Sequence, residues 1–390
     1  MAEWCGNIAK ISLPTPFPVG DVNVYVVKGE ALTLIDAGVK TEAAWQRFTE
    51  ELGSLRLKPE DIEQVVLTHH HPDHTGLVDF LPQAKVYGHT LCQRWLVRDE
   101  SFLQEYRDFY RGLFEALSVP PELMGNLRRM EKTLDFAGNR PLDGTLAEGM
   151  EVDGLPGWFV IETPGHAQSH ISLWNEKEGV LIGGDHILAT ISSNPMLEPP
   201  VSRGAERPKP QLQYNASLKK IKGYPVRLVF SGHGQEVRHV HALIDRRILR
   251  QHERAMHVKE MLEDRALTGF EICKNLFPQA YERELGLTMS ETVGQLDFAI
   301  HRGHPRRGRR KGREIFPGSR LISKKSGEKS RALAGFRGRT AKVPPPDAGF
   351  CGFLPPSVST GRLRADRPFR ELFVCAGVRQ PAKTVFTGGG

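Results

Sequence analysis

A chain of 390 residues with 39% apolar content holds enough hydrophobic material for one large globular domain and a smaller one. Its five cysteines, Cys5, Cys92, Cys273, Cys351 and Cys375, lie far apart with no C-x-x-C, which indicates neither a disulfide framework nor a cysteine zinc site and fits a reducing compartment. The net charge of +7 divides unevenly: residues 301–390 carry +16 and the first 300 carry −9, so a nucleic-acid argument from overall charge concerns only the C-terminal stretch.

Residues 1–20 offer no basic segment followed by a continuous apolar one, and no run reaches membrane-spanning length, so the expected location is cytoplasmic without membrane association. Residues 22–27 and 31–35 are β-rich runs around Lys28-Gly29-Glu30, a predicted antiparallel hairpin. A helix is expected over residues 41–52, where Ala43, Ala44, Phe48 and Leu52 recur near helical spacing, and a short buried strand over residues 65–67. After a further short strand at 86–89, residues 91–130 read as largely helical, broken by Pro120-Pro121, and form a candidate lid or substrate wall.

Strand patterns return at 158–162, 171–174, 180–182 and 227–230, and residues 237–300 become helical again. Two groups of strands separated by helices argue for an α/β sandwich with sheets inside and helices outside. Thr268 to Glu271 and Thr288 to Glu291 both have capping-box spacing, each ahead of an apolar stripe, so three helices and a small separate domain are expected. The expected domains are 1–240, 241–302 and 303–390.

The chemistry concentrates in residues 67–76, L-T-H-H-H-P-D-H-T-G. His69, His71, Asp73 and His74 put four N and O donors for a divalent ion within six residues, more than one open catalytic zinc requires, which suggests two metals. His70 breaks the spacing and is expected to point elsewhere. Each later strand end delivers another candidate: His166 after Thr163-Pro164-Gly165, Asp185 after Gly183-Gly184, and His233 after Ser231-Gly232. Glycine at such turns lets the chain approach a metal closely.

H-x-H-x-D-H followed by P-G-H, G-D and G-H resembles the metallo-β-lactamase fold superfamily over roughly residues 8–240. The resemblance implies an αββα sandwich and, as in binuclear members such as glyoxalase II, a site in which His69, His71 and His166 hold one metal, Asp73, His74 and His233 hold a second, and Asp185 bridges. Zinc is the first choice, with iron or manganese accepted by the same donors. Two ions sharing a carboxylate can hold a hydroxide at neutral pH and polarise an acyl or phosphoryl oxygen. Asp73 is then a proton acceptor as well as a ligand. Asp36 matches the family's first motif and is expected to orient a ligand histidine; His170 is assigned a buried hydrogen-bonding role. His186 could face the substrate or pack beneath the site, and His89, His239, His241, His252 and His257 read as surface residues.

Asp185 stands where the best-known metallo-β-lactamases carry cysteine, and the sequence after it departs from glyoxalase II, which argues against antibiotic and glutathione thioester hydrolysis respectively. The expected activity is hydrolysis of a thioester, lactone or related acyl ester. Phosphodiester cleavage and a non-enzymatic metal-binding or regulatory module are the alternatives. The helical segment after His233 resembles the winged-helix-like appendage of some of these hydrolases, which shapes the substrate entrance or a homodimer contact. Past Gly303 the expected strands give way to His304-Pro-Arg-Arg-Gly-Arg-Arg-Lys-Gly-Arg313 and a stretch rich in Arg, Gly and Pro. That composition reads first as the product of a frameshift near residue 303, and otherwise as a disordered basic tail able to bind nucleic acid or as a small ordered domain.

Overall fold

The hairpin read from the first β-rich runs belongs to a larger sheet. In the computed structural model, residues 1–302 are described except Arg203 and Asp264, together with the backbone of 308–310 and 313–316. The first sheet begins with β1 (Trp4–Cys5), β2 (Ile8–Leu13), β3 (Val22–Lys28) and β4 (Leu32–Ile35), all antiparallel. The sequence analysis expects no strand at β2, a short run followed by a proline-rich turn; its six-pair ladder with β3 and the burial of Ala9, Ile11 and Leu13, alternating with Lys10 and Ser12, define it. Helix α1 (Glu42–Ser54) starts where Thr41 caps the Ala44 N–H, and it buries Ala44, Phe48 and Leu52 on one stripe.

The chain then continues through β5 (Gln64–Leu67), the single turn α2 (Pro72–Thr75) and β6 (Lys85–His89). Three insert helices follow: α3 (Cys92–Val97), α4 (Glu100–Ala116) and α5 (Asn126–Lys132). Strand β7 (Gly144–Leu146), unforeseen in the sequence, closes the sheet in the order β1 to β7, with β4 through β7 parallel.

The second sheet comprises β8 (Trp158–Glu162), β9 (Ile171–Asn175), β10 (Val180–Gly184) and β11 (Leu228–Ser231), ordered β11-β10-β9-β8. Helix α6 (Pro210–Lys222) is the crossover that makes β10 and β11 parallel. Between the sheets, Tyr25, Ile35 and Val66 meet Val160, Leu173, Ile182 and Phe230. Phe48 and Leu52 cover the outer face of the first sheet, while Tyr214, Leu218, Ile221 and Ile244 cover that of the second. The architecture is an αββα sandwich.

Helices α7 (Val240–Met261), α8 (Gly269–Leu276) and α9 (Leu285–His301) follow. Thr268 and Glu271 form the expected capping box, but Thr288 lies inside α9: its hydroxyl donates to Glu284 O, and Glu291 pairs with Arg254. A capping-box spacing is too short a signal to outweigh an apolar run already helical from Leu285. The three helices share one buried cluster with the insert, in which Tyr110 and Phe114 join Phe270, Met289 and Val293.

A third sheet joins β12 (Leu267–Thr268), β13 (Gly308–Arg310) and β14 (Arg313–Phe316) in the order β12-β14-β13. The sequence analysis expects no strand after His301, yet the backbone of 308–310 pairs with that of 313–316, which in turn pairs with Leu267 and Thr268. The remainder of 303–390, with its tail and frameshift readings, lies outside the described residues. Among the described residues no helix is long and apolar enough to cross a membrane.

Candidate metal centre

All seven candidate ligands converge at one end of the sandwich, where the carboxyl ends of β5, β8, β10 and β11 meet. The tight turn after β5 is what brings four of them together: His71 has extended backbone, Pro72 starts α2, and Asp73 and His74 fall in that single turn. Proline suits the first helical position, where no N–H partner is needed.

Three donor groups result: His69, His71 and His166; His69, His74 and Asp185; and Asp73, His74 and His233, the donor atoms of each lying within 4.8 Å of one another. His69 Nε2 lies 3.0 Å from His71 Nδ1. Asp185 reaches both ends, with Oδ2 at 3.4 Å from His166 Nε2 and from His233 Nε2, and Oδ1 at 3.4 Å from His74 Nε2. Asp73 Oδ2 is 3.3 Å from His233 Nε2. Donors set tetrahedrally at zinc distances of about 2.0–2.1 Å stand roughly 3.4 Å apart, so these separations fit a shared divalent ion.

A second observation agrees. The buried atoms His74 Nε2, His166 Nε2, His233 Nε2 and Asp185 Oδ1 have no hydrogen-bond partner among the described residues. Buried polar atoms left this way cost free energy unless a ligand satisfies them.

The opposite nitrogens are tied down. His74 Nδ1 meets Asp36 Oδ2 at 2.8 Å, His233 Nδ1 meets the Asp21 carbonyl at 2.8 Å, and His69 Nδ1 lies 3.0 Å from Thr68 Oγ1. Asp36 sits at φ +61°, a left-handed conformation costly outside glycine. Its carboxylate also accepts from the Thr68 N–H at 2.7 Å and hydroxyl at 2.8 Å, contacts that hold it there. His170 is buried, with Nδ1 2.8 Å from Thr163 Oγ1 and Nε2 accepting from the Asp185 N–H at 3.1 Å, so it positions the backbone of Asp185.

Charge divides the site. Burial, reinforced by neighbouring imidazoles, holds His69 and His71 well below the usual histidine range, and burial lowers His166 despite Asp185. Burial also opposes the charging of His74 and His233, but carboxylates outweigh it: Asp36, Asp185 and Asp73 raise His74, while Asp185 and Asp73 push His233 up to about 10. Asp185 is held well below the carboxylate range because His233 and His74 overcome the effect of its burial. The carboxylates thus demand positive charge, which a cation would supply in place of protons.

The superfamily model for the metallo-beta-lactamase superfamily matches residues 17–233. The chain belongs to that superfamily. It is 45% identical to the probable metallo-hydrolase YqjP of Bacillus subtilis over 292 residues, covering 75% of this chain and 91% of that protein. The crystal structure of the metallo-beta-lactamase family protein TTHA1429 from Thermus thermophilus is similar at 27% identity and TM-score 0.68, covering 80% of this chain and 98% of that one. A beta-lactamase domain protein from Burkholderia ambifaria shares the fold at TM-score 0.68 and 21% identity, covering 81% of this chain and 94% of that one. The superfamily binds divalent metals, and this metallo-hydrolase carries His and Asp groups suited to them.

His186, next to Asp185, packs among side chains beside the site. It is fully buried, its ring 5.4 Å from that of Tyr214 and 6.1 Å from that of His170. His239, His241 and His257 are exposed, whereas His89 and His252 are half-buried, with His89 Nε2 3.6 Å from Glu162.

Sequence reasoning assigned nothing to Glu198, which lies 5% exposed with Oε1 accepting from the Gln168 N–H at 2.7 Å and 3.9 Å from His70 Nε2. His70 itself stacks on Trp95 at 4.1 Å and meets Ser169 Oγ at 2.8 Å, joining the ligand turn to the insert. Burial raises the Glu198 carboxyl to about 8, against the lowering effects of the Gln168 N–H and Arg94. A raised carboxyl costs nothing while protonated in both states; the cost grows as pH rises from the unfolded pKa through the folded one. Glu198→Gln is therefore expected to leave the melting temperature at pH 4 nearly unchanged and raise it by several degrees at pH 8, at about 1.4 kcal/mol per pKa unit. Thermal melts of both proteins across that window read the difference, and an equal shift at both pH values would contradict it.

Proposed function

We propose that this metallo-hydrolase is binuclear and cleaves a thioester, lactone or related acyl ester. The observation that carries the reading is Asp185, whose Oδ2 lies 3.4 Å from His166 Nε2 and 3.4 Å from His233 Nε2, a carboxylate shared by two donor groups. His69, His71 and His166 would hold one ion, Asp73, His74 and His233 the other. Bound divalent ions would supply a hydroxide nucleophile at neutral pH and Lewis-acid polarisation of the acyl oxygen, with zinc preferred over iron or manganese.

The chain's own residues do the rest. Asp73 is buried, yet His74 and His233 keep its carboxyl below the usual range, so it is ionised and placed to accept a proton released at the centre. Asp36 and His170 fix the direction of His74 and the backbone of Asp185. Where the insert packs against the ligand turn it is aromatic: Trp95 stacks on His70 and meets Phe102 at 4.9 Å, while the guanidinium of Arg94 is engaged by Pro200 O and Glu105.

Phosphodiester cleavage is the second reading. The stretch from Asp185 to His233 contains α6 as its one helix among the described residues, with no additional domain to clamp a nucleic acid. Metal-loaded full-length protein should be assayed on a panel of acyl thioesters and lactones beside RNA and bis(p-nitrophenyl) phosphate. Chelator-sensitive turnover of an ester class is expected; turnover of phosphodiesters alone would favour the second reading. A fully loaded protein inert on the whole panel would point instead to a metal-binding module.

A further inference from the structure

The ring of His166 is held unlike those of its neighbours. His74 leans on the carboxylate of Asp36, directly after β4, and His233 on the carbonyl of Asp21, directly before β3. His166 has both partners in the irregular segment between β10 and α6: its Nδ1 lies 2.9 Å from Asn194 O and 2.8 Å from Ser193 Oγ, while the Met196 N–H donates to His166 O at 3.2 Å. An Nδ1–H directed at Asn194 O leaves the Nε2 lone pair aimed at Asp185.

An irregular segment keeps one position only when neighbouring structure fixes it. Here the fixing groups come from the C-terminal helices. Asn194 Nδ2 donates to Leu287 O at 3.0 Å in the first turn of α9, and the Leu197 N–H donates to Ser290 Oγ at 3.2 Å. From α7, Arg247 is 5% exposed and donates to Leu188 O at 3.2 Å and Ile191 O at 2.7 Å. Gln251 donates to Ser192 Oγ at 3.3 Å and accepts from Gln295 of α9. The segment is thus held at five points between Leu188 and Leu197.

We infer that Ser193 and Asn194 are positioning residues for His166, and that α9, acting through Leu287 and Ser290, sets how tightly the His69, His71 and His166 group holds its ion. The inference rests on the binuclear reading of the centre and is independent of the substrate. Its consequence is selectivity. The second donor group takes its orienting contacts from Asp36 and Asp21, outside this segment, so disturbing α9 should weaken one ion and spare the other.

The test uses full-length protein and Zn²⁺ or Co²⁺ alone, with the affinity of each ion read by chelator competition and the Co²⁺ absorption spectrum reporting the ligand field. Ser193→Ala, Asn194→Ala and Ser290→Ala should each weaken one ion about 10- to 100-fold, the range for groups that orient a ligand. The other ion should be retained, and Ser193→Thr, which keeps the hydroxyl, should restore the lost affinity. Ser290→Ala, a deletion of one oxygen outside the irregular segment, decides the question if Ser193→Ala fails to fold. Unchanged affinities, or equal weakening of both ions together with a fall in the metal-free melting temperature, would overturn the inference. A wild-type protein that binds no ion would overturn the metal centre itself, an outcome distinct from inactivity on acyl substrates.

Discussion

Replacing Asp185 with alanine is expected to remove metal from both donor groups and to lower hydrolysis by about three orders of magnitude or more, the several kcal/mol attributable to a metal-assisted step. The reason is geometric: Asp185 is the carboxylate that lies 3.4 Å from His166 Nε2 in one group and 3.4 Å from both His233 and His74 Nε2 in the other. It is also electrostatic. Burial alone would neutralise this carboxyl, but His233 and His74 keep it ionised, so its loss removes a negative charge from a site that otherwise draws protons onto those two rings. Metal analysis of the purified variant provides the check. Retention of two ions per chain would show that Asp185 does not join the groups.

Replacing Gly232 with alanine should have an effect of the same order without touching a ligand. Gly232 follows β11, its N–H donating to Gly184 O at 2.7 Å and its carbonyl accepting from the Asn23 N–H at 2.7 Å, so its backbone is pinned on both sides. A methyl group there would run into Asp185 Oδ1 and stand 2.9 Å from His74 Cε1 and 3.1 Å from the Gly184 carbonyl carbon. Two turns meet too closely for a side chain, and the movable party is the carboxylate. Loss of metal is expected together with a destabilisation of about 1–3 kcal/mol from overpacking. Metal content and thermal unfolding measured together test this, and an alanine variant that loads normally would show that the turns can separate.

The seven donors were legible because each is a local feature. His69, His71, Asp73 and His74 fall within one turn after a strand, and His166, Asp185 and His233 each follow a strand end with glycine before them, so residue identity and short spacing carry the signal. The same locality explains the errors. Thr288 and Glu291 have the spacing of a cap, but they sit within an apolar helix that begins at Leu285, and β2 is a short run before a proline-rich turn whose place in the sheet is set by its ladder with β3. The strands at 308–310 and 313–316 were not legible because Gly308-Arg309-Arg310 carries no apolar pattern and Arg313-Glu-Ile-Phe316 is only four residues long; what defines them is their pairing with each other and that of 313–316 with Leu267 and Thr268.

What the sequence by itself determined was the donor chemistry, the order in which strands deliver it, and hence the superfamily. Only the tertiary structure decided what surrounds each donor. His186 follows Asp185 directly, yet it is buried beneath the site, while Glu198 and His70 come within 3.9 Å of each other from positions 128 apart in the chain. Likewise the contact that fixes His166 runs through Asn194 to Leu287, 93 positions further on. Ligand identity is a property of one residue and its immediate neighbours, whereas burial, tautomer and orientation depend on groups that come together only when distant segments pack, and short-range spacing in the sequence does not record those meetings.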